Sequence, residues 1–239
     1  MLIVMLLHLR SKLSFMFTMP SFHLDVNNAS YLKNPESSEL GKKIMLASID
    51  MIDDLGFDNF TFRKLGKEIE STEASIYRYF ENKHKLLIYL TNWYWSWLEY
   101  QLVFAVANIT EPEERLHRAM DVITRKVDRD SNFLHIDEVK LQRIVIAESP
   151  KAYLTKDVDD ENRDGLFLGY KRLVQHVCDI ILELNPDFKY PNMLVSTVIE
   201  GALQQRFFSE HLPRLTNVVA GEDAIMSFYK QLVFKILDK

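Results

Sequence analysis

The chain has 239 residues, 47% of them hydrophobic and 26% charged, with a formal net charge of −5. That balance excludes a disordered chain and a protein that coats nucleic acid over its whole surface, while leaving room for a small local footprint on DNA. Seven Gly and seven Pro favour long helices over many short strands, and the lone Cys178 excludes an internal disulfide and suits a reducing compartment, the cytoplasm.

The first eighteen residues, M-L-I-V-M-L-L-H-L-R-S-K-L-S-F-M-F-T, place Arg10 and Lys12 after the apolar run, the reverse of a secretory signal. The uninterrupted apolar run ends at His8, too short to cross a bilayer, so no membrane partner is expected. Residues 1–35 are expected to be a disordered or mis-annotated extension, with the natural start at Met19 or Met16; a short membrane- or partner-binding tail is the alternative. They are set outside the fold expectation.

From there the periodicity predicts helices only. Leu40, Ile44, Ala47, Met51 and Leu55 share one face of a helix over 38–55, which Gly56 ends. Thr61 caps a second, short helix with Leu65 and Ile69 on one face, and Thr72 caps a third that runs through Phe80. One long helix follows over 83–108 and holds every tryptophan, in N-W-Y-W-S-W. Its Leu86, Leu90, Trp93, Trp97, Tyr100 and Phe104 form a stripe expected in the core. Trp95 lies roughly 150° from that face and is expected at an interface or pocket wall. Further helices are expected over 113–128, over 136–148 (stopped at Pro150), and over 162–183, 191–212 and 221–237. The class is all-α.

The three short helices form a compact trio whose second and third members are joined by a tight turn, the layout of a helix-turn-helix. Ile76 and Phe80 are spaced to pack on Leu65 and Ile69, small Ala74 lets the helices approach, and Thr72, Glu73, Ser75, Tyr77 and Tyr79 are left on or beside the outer surface. Six Lys/Arg face four Glu between Thr61 and Lys85, a net positive stretch in an acidic chain.

The sequence F-T-F-R-K-L-G-K-E-I…S-T-E-A-S-I-Y-R-Y-F-E-N-K-H-K-L-L, Phe60 to Leu87, resembles the DNA-binding head of the TetR (tetracycline-repressor) family of bacterial regulators. The resemblance covers about a fifth of the chain, roughly residues 40–90. It implies a helix-turn-helix domain over 36–85 and a helical effector-binding and dimerisation domain over 86–239. It also implies roles. Arg63 reaches a base edge; Glu73, Ala74 and Tyr77 form the base-facing part of the reading helix. Thr61, Thr72, Ser75, Tyr77 and Tyr79 offer hydroxyls to phosphates, and Lys83 offers its charge to the DNA backbone. Arg78 is an outlying helper. Two positions depart from the family pattern: Glu70 stands where many members have Gly, and Glu73 puts a negative charge on the reading surface.

For the larger half the resemblance implies a homodimer through 191–212 and 221–237, with Gly201-Ala202 permitting close helix contact. A small-molecule effector would lie in a chamber for which Trp97, Tyr100, Gln101, His135 and Gln175 are the expected lining. The expected partners are an operator duplex, palindromic if the dimer is two-fold, and that effector; no cofactor or metal is expected. The expected function is a dimeric repressor released by its effector, with a TetR-like adaptor that binds protein as the alternative.

Enzymatic readings fare poorly. Two E-x-x-H pairs, Glu81/His84 and Glu114/His117, have the spacing of di-iron bundles but lack the two further glutamate helices such a site needs. The acidic run D-V-D-D-E-N at 157–162 precedes a helix, where acids suit the dipole. The expectation is no enzyme.

Overall fold

The computed structural model describes residues 24, 26–129 and 136–238. Among them the secondary structure is entirely helical, in ten α-helices and three short 3-10 turns. The mis-annotation expected before Met19 concerns residues outside that description.

Helices α1 (Glu39–Leu55), α2 (Phe62–Glu68) and α3 (Glu73–Tyr77) form the head. Each starts where a hydroxyl accepts the third amide of the helix: Ser38 from Gly41, Thr61 from Lys64, Thr72 from Ser75. Ile44, Ile49, Phe60, Leu65, Ile76 and Phe80 are fully buried between them. The tight α2–α3 contact comes from Gly66, where a Cβ would stand 3.0 Å from the Ser71 carbonyl oxygen and 3.3 Å from the Glu73 nitrogen. Ala74, expected to make that contact, faces solvent instead.

Helix α4 (Lys83–Val106) runs from the head through the body. It is buried all round from Leu86 to Leu98, as a helix without a polar face must be. Trp93 and Trp97 are core, as the stripe predicts, and Trp95 stacks on Tyr170 with ring centroids 4.3 Å apart. Phe104 departs from the stripe: at 58% exposure it lies beyond the elements that cover the helix's first half, with Tyr100 half-buried beside it. Helices α5 (Pro112–Thr124), α6 (Glu138–Tyr153), α7 (Val158–Arg163) and α8 (Leu168–Leu184) follow. Helices α9 (Pro191–His211) and α10 (Ala224–Leu237) complete the body. One apolar cluster runs continuously from Ile44 in the head to Val233 in α10.

Two expected boundaries shift for stated reasons. Helix α6 passes through Pro150, because tertiary bonds hold the last turn that the proline weakens. Glu148 Oε1 accepts the Phe57 amide at 3.0 Å, and Lys151 pairs with Asp58 at 2.9 Å. The single helix expected over 162–183 is split into α7 and α8 by Gly165, whose φ of 79° a helix cannot hold.

The fold also begins earlier than residue 36. Val26 and Ser30 are buried, Tyr31 meets Tyr89 edge-on, and Trp93 donates to Glu36 at 3.0 Å. Residues 26–38 therefore form an arm across the junction of head and body.

Candidate nucleic-acid interface

The polar aromatics at and after the end of α3, Tyr77 and Tyr79, lie on opposite sides. Tyr77 is 46% exposed; its ring is braced edge-on against Phe62 at 5.1 Å and its hydroxyl reaches Glu73 Oε1 at 3.4 Å. A braced ring loses little further freedom when it meets a surface. Arg63, Lys64 and Lys67 on α2 and Arg78 after α3 are exposed on the head. Thr61, Thr72 and Ala74 are also exposed, while Glu73 and Ser75 are half-buried. The Thr72 and Ser75 hydroxyls lie 2.8 Å apart, so both are partly committed to capping α3. The structure thus gathers Thr61, Arg63, Thr72, Glu73, Ala74, Ser75 and Tyr77 on the α2–α3 pair.

Two expected members point elsewhere. Tyr79 is only 3% exposed, and its hydroxyl lies 2.7 Å from Ser38 Oγ while taking a bond from Lys33 Nζ at 3.3 Å. The Ser38 bond, helped by Lys33, holds its phenol below the ordinary range. Alternation after a short helix explains the miss: α3 ends at Tyr77, and the chain turns Tyr79 inward. Lys83 sends its ammonium onto the carbonyl oxygens of Phe57 at 3.0 Å, Phe60 at 3.2 Å and Asp58 at 3.3 Å, with the Phe57 ring 4.6 Å away. It staples the α1–α2 loop to the start of α4, where a free cation would oppose the helix dipole. Its charge is not offered outward.

The turn between α2 and α3 is a Schellman motif. The Ser71 amide donates to the Gly66 carbonyl at 2.8 Å and the Glu70 amide to Lys67 at 3.3 Å. Glu70 occupies the left-handed position with φ of 52°. An L side chain there costs about 1–2 kcal/mol, which the surrounding head absorbs.

The head is latched to the body by ion pairs that sequence spacing does not reveal. Lys140 meets Asp50 at 2.6 Å, and Arg143 Nε donates to Asp53 at 2.8 Å. Buried Glu161 on α7 takes both His84 Nε2 and Lys85 Nζ at 3.0 Å. His84 and Glu161 are thereby absorbed into structure, as is His117, which stacks on Phe234 at 4.0 Å. Among the described residues no cluster of His, Cys, Asp or Glu is arranged to hold a metal, and no helix is long and apolar enough to cross a membrane.

The expected effector lining is dispersed. Trp97 is fully buried core, Tyr100 packs on Phe104, Gln101 accepts weakly from Arg125 at 3.5 Å, and Gln175 is exposed and donates to Asp179 at 2.7 Å. His135 lies outside the described residues. Cavities lie elsewhere among the described residues. One of about 300 Å³ sits where Ile52, Arg143 and Phe207 bring α1, α6 and α9 together. Another, of about 340 Å³, lies beneath the arm between α4 and α8.

On α9 and α10, Val195, Ile199, Ala202, Tyr229 and Val233 face inward while Met193, Phe228 and Ile236 are exposed. Gly201 serves contact within the chain, since a Cβ there would collide with the Tyr229 phenol. It was expected to serve a helix bundle between copies.

Residues 44–90 match the model of the bacterial regulatory proteins, tetR family. No curated protein matches the chain as a sequence relative. Among solved structures, AibR in complex with isovaleryl coenzyme A and operator DNA is 18% identical with a TM-score of 0.54, covering 81% of this chain and 97% of AibR. The TetR family transcriptional regulator PfmR from Thermus thermophilus is 13% identical with a TM-score of 0.54, over 80% of this chain and 93% of PfmR. The superantigen PfiT is 12% identical with a TM-score of 0.56, over 85% and 97%. At such identities these structures speak for the fold alone. The resemblance read from Phe60 to Leu87 therefore holds: the chain carries a tetR-family head at 44–90 on an all-helical, TetR-like fold.

Proposed function

We propose that the protein is a transcriptional regulator that binds double-stranded operator DNA through α2 and α3, acts as a dimeric repressor, and is released by a small molecule. The observation that carries the reading is the exposed, braced Tyr77 on a short capped helix, flanked by Arg63, Lys64 and Lys67. An exposed tyrosine held rigid is suited to a groove or a phosphate, and an arginine one helix away can bond guanine through two donors. Support for a second copy comes from the exposed Met193, Phe228 and Ile236 on α9 and α10. A two-fold pairing there would set two reading helices about 34–36 Å apart, matching successive major grooves of a palindrome. The reading carries no enzymatic step and suits a cytoplasmic protein.

Glu73 on the reading face supports a second reading, a TetR-like adaptor that docks on protein. Fluorescence anisotropy on labelled DNA from upstream of the protein's own gene separates the two, run against competitor DNA across a salt series. Tight, competitor-resistant binding that weakens steeply with salt establishes the regulator, and the slope counts its phosphate contacts. Absence of binding at any salt from a well-folded dimer supports the adaptor. Tyr77→Ala should lose specific binding while sedimentation still reports the wild-type assembly.

A further inference from the structure

The arm expected to lie outside the fold covers the cavity of about 340 Å³ beneath it, walled by Asn27 and Tyr31 of the arm, Asn92 and Ser96 of α4, and Gly169 and Arg172 of α8. Its size is at the low end for small-molecule sites. Its lining is built for a ligand with a negative end. Ser96 is 94% shielded, only 6% exposed, and its hydroxyl lines the cavity with no hydrogen-bond partner among the described residues. Helix α8 begins at the same wall without a side-chain cap, and the Gly169 amide there has no backbone acceptor among the described residues. One turn on, Arg172 gives its Nε to Glu99 at 2.8 Å and lines the same cavity. A free helix-terminal amide beside a guanidinium favours a carboxylate. Glu99 beside Arg172 lowers the local positive charge, which disfavours a phosphate dianion. The Ser96 hydroxyl suits a hydroxyl group on the same molecule, while the Asn92 amide beside it is held by the Leu166 carbonyl.

The arm ties this cavity to the reading helix. At its body end Asn27 donates to the Asp164 carbonyl at 3.0 Å. At its head end, next to Tyr31, the Leu32 amide donates to the Tyr79 carbonyl at 2.7 Å, and Lys33 and Ser38 hold the Tyr79 hydroxyl. Tyr79 stands two residues after Tyr77. A molecule seated under Tyr31 therefore loads the chain that fixes the end of the reading helix.

We propose that this cavity binds a small hydroxylated carboxylic acid, and that occupancy acts on the head through the arm; the second half rests on the regulator reading above. The three tryptophans at 93, 95 and 97 flank Ser96, so intrinsic fluorescence of the full chain reports the site. Titration with malate, tartrate and gluconate should give a saturable change with at least one acid, and none with the neutral polyol erythritol. Ser96→Ala and Arg172→Gln, the latter at an exposed position, should each weaken it about tenfold or more, the scale of one lost hydrogen bond to a charged group. No saturation by any of the acids below about 10 mM, or an unchanged titration in Arg172→Gln, overturns the site.

Operator anisotropy tests the coupling. A saturating acid should weaken binding at least fivefold in the wild type. Leu32→Pro removes the amide that holds Tyr79, and Tyr31 before it is already extended, as a following proline requires. That variant should keep the acid titration and lose the DNA response. An acid that binds without changing DNA affinity overturns the coupling. An acid that binds to a chain with no DNA affinity keeps the site and sinks the regulator reading instead.

Discussion

The head and the body of this protein are held by different forces. In the head every helix, and the start of α4, is announced by a small polar side chain accepting an amide: Ser38, Thr61, Thr72 and Asn82. In the body α5, α7, α8 and α9 start with no side-chain cap, α6 and α10 are capped by Asp137 and Asp223, and α4 holds its place by burial on every side. Caps let a helix as short as Glu73–Tyr77 form while leaving its outer face open. Burial on every side, as in α4, gives rigidity but leaves no face to offer. A short reading helix that must touch DNA therefore belongs on the capped half.

That contrast predicts unequal costs for similar deletions. Trp97→Ala should cost about 3–5 kcal/mol in urea denaturation, since the whole indole is packed. Tyr77→Ala should stay within about 1 kcal/mol of wild type, yet lose operator binding. A Trp97→Ala loss below about 1 kcal/mol would break the contrast, because burial would then not be what secures α4. Cys178 offers an independent probe of the body. It is fully shielded, and burial pushes its thiol up to about 11, so native protein at pH 8 should resist thiol reagents until it opens. Rapid labelling at pH 8 without denaturant would show a looser α8 than the packing implies.

Lys83 sits where the two halves meet. Lys83→Met removes a charged donor from three carbonyl oxygens and should cost about 2–3 kcal/mol, read as a lower urea midpoint at unchanged slope. If the variant keeps its stability and loses salt-dependent DNA binding, Lys83 is a phosphate ligand after all and the staple is dispensable.

The same contrast decides what could be read from the sequence. Head caps, the α2–α3 turn and the buried pair Ile76 and Phe80 are local signals, and local signals survive in one sequence. Helix class and the Trp93–Trp97 core followed from periodicity and apolar density. The ion pairs Lys140–Asp50 and Glu161–Lys85 span many residues of separation, and no spacing announces them. Gly165 was visible, but a lone glycine inside an otherwise helical pattern does not say that it will break the helix. The arm is not legible because a short polar segment, N-N-A-S-Y-L-K-N, owes its order to partners elsewhere: Asp164, Tyr79 and Tyr89. The inward turn of Tyr79 has the same origin, since its partners Ser38 and Lys33 lie forty residues upstream or more. The expected effector lining rests on residue type alone, and residue type does not say which helix faces meet.

The smallest expected effect tests the head most sharply. Tyr79→Phe keeps the ring and removes a hydroxyl bonded to Ser38 and Lys33, and should cost about 1 kcal/mol. Glu70→Gly should act in the opposite direction by a similar amount, about 1 kcal/mol of added stability, because it relieves a left-handed residue at the Schellman position. The gain has a limit, since glycine also frees the unfolded chain. Its consequence for DNA separates two reasons for a glutamate in that turn. If operator affinity rises at every sequence tested and its salt slope is unchanged, the carboxylate acts only as a repulsive charge near phosphates. If affinity rises for random DNA but not for the operator, Glu70 sharpens discrimination by penalising wrong sites, and the strain at this position is retained for specificity.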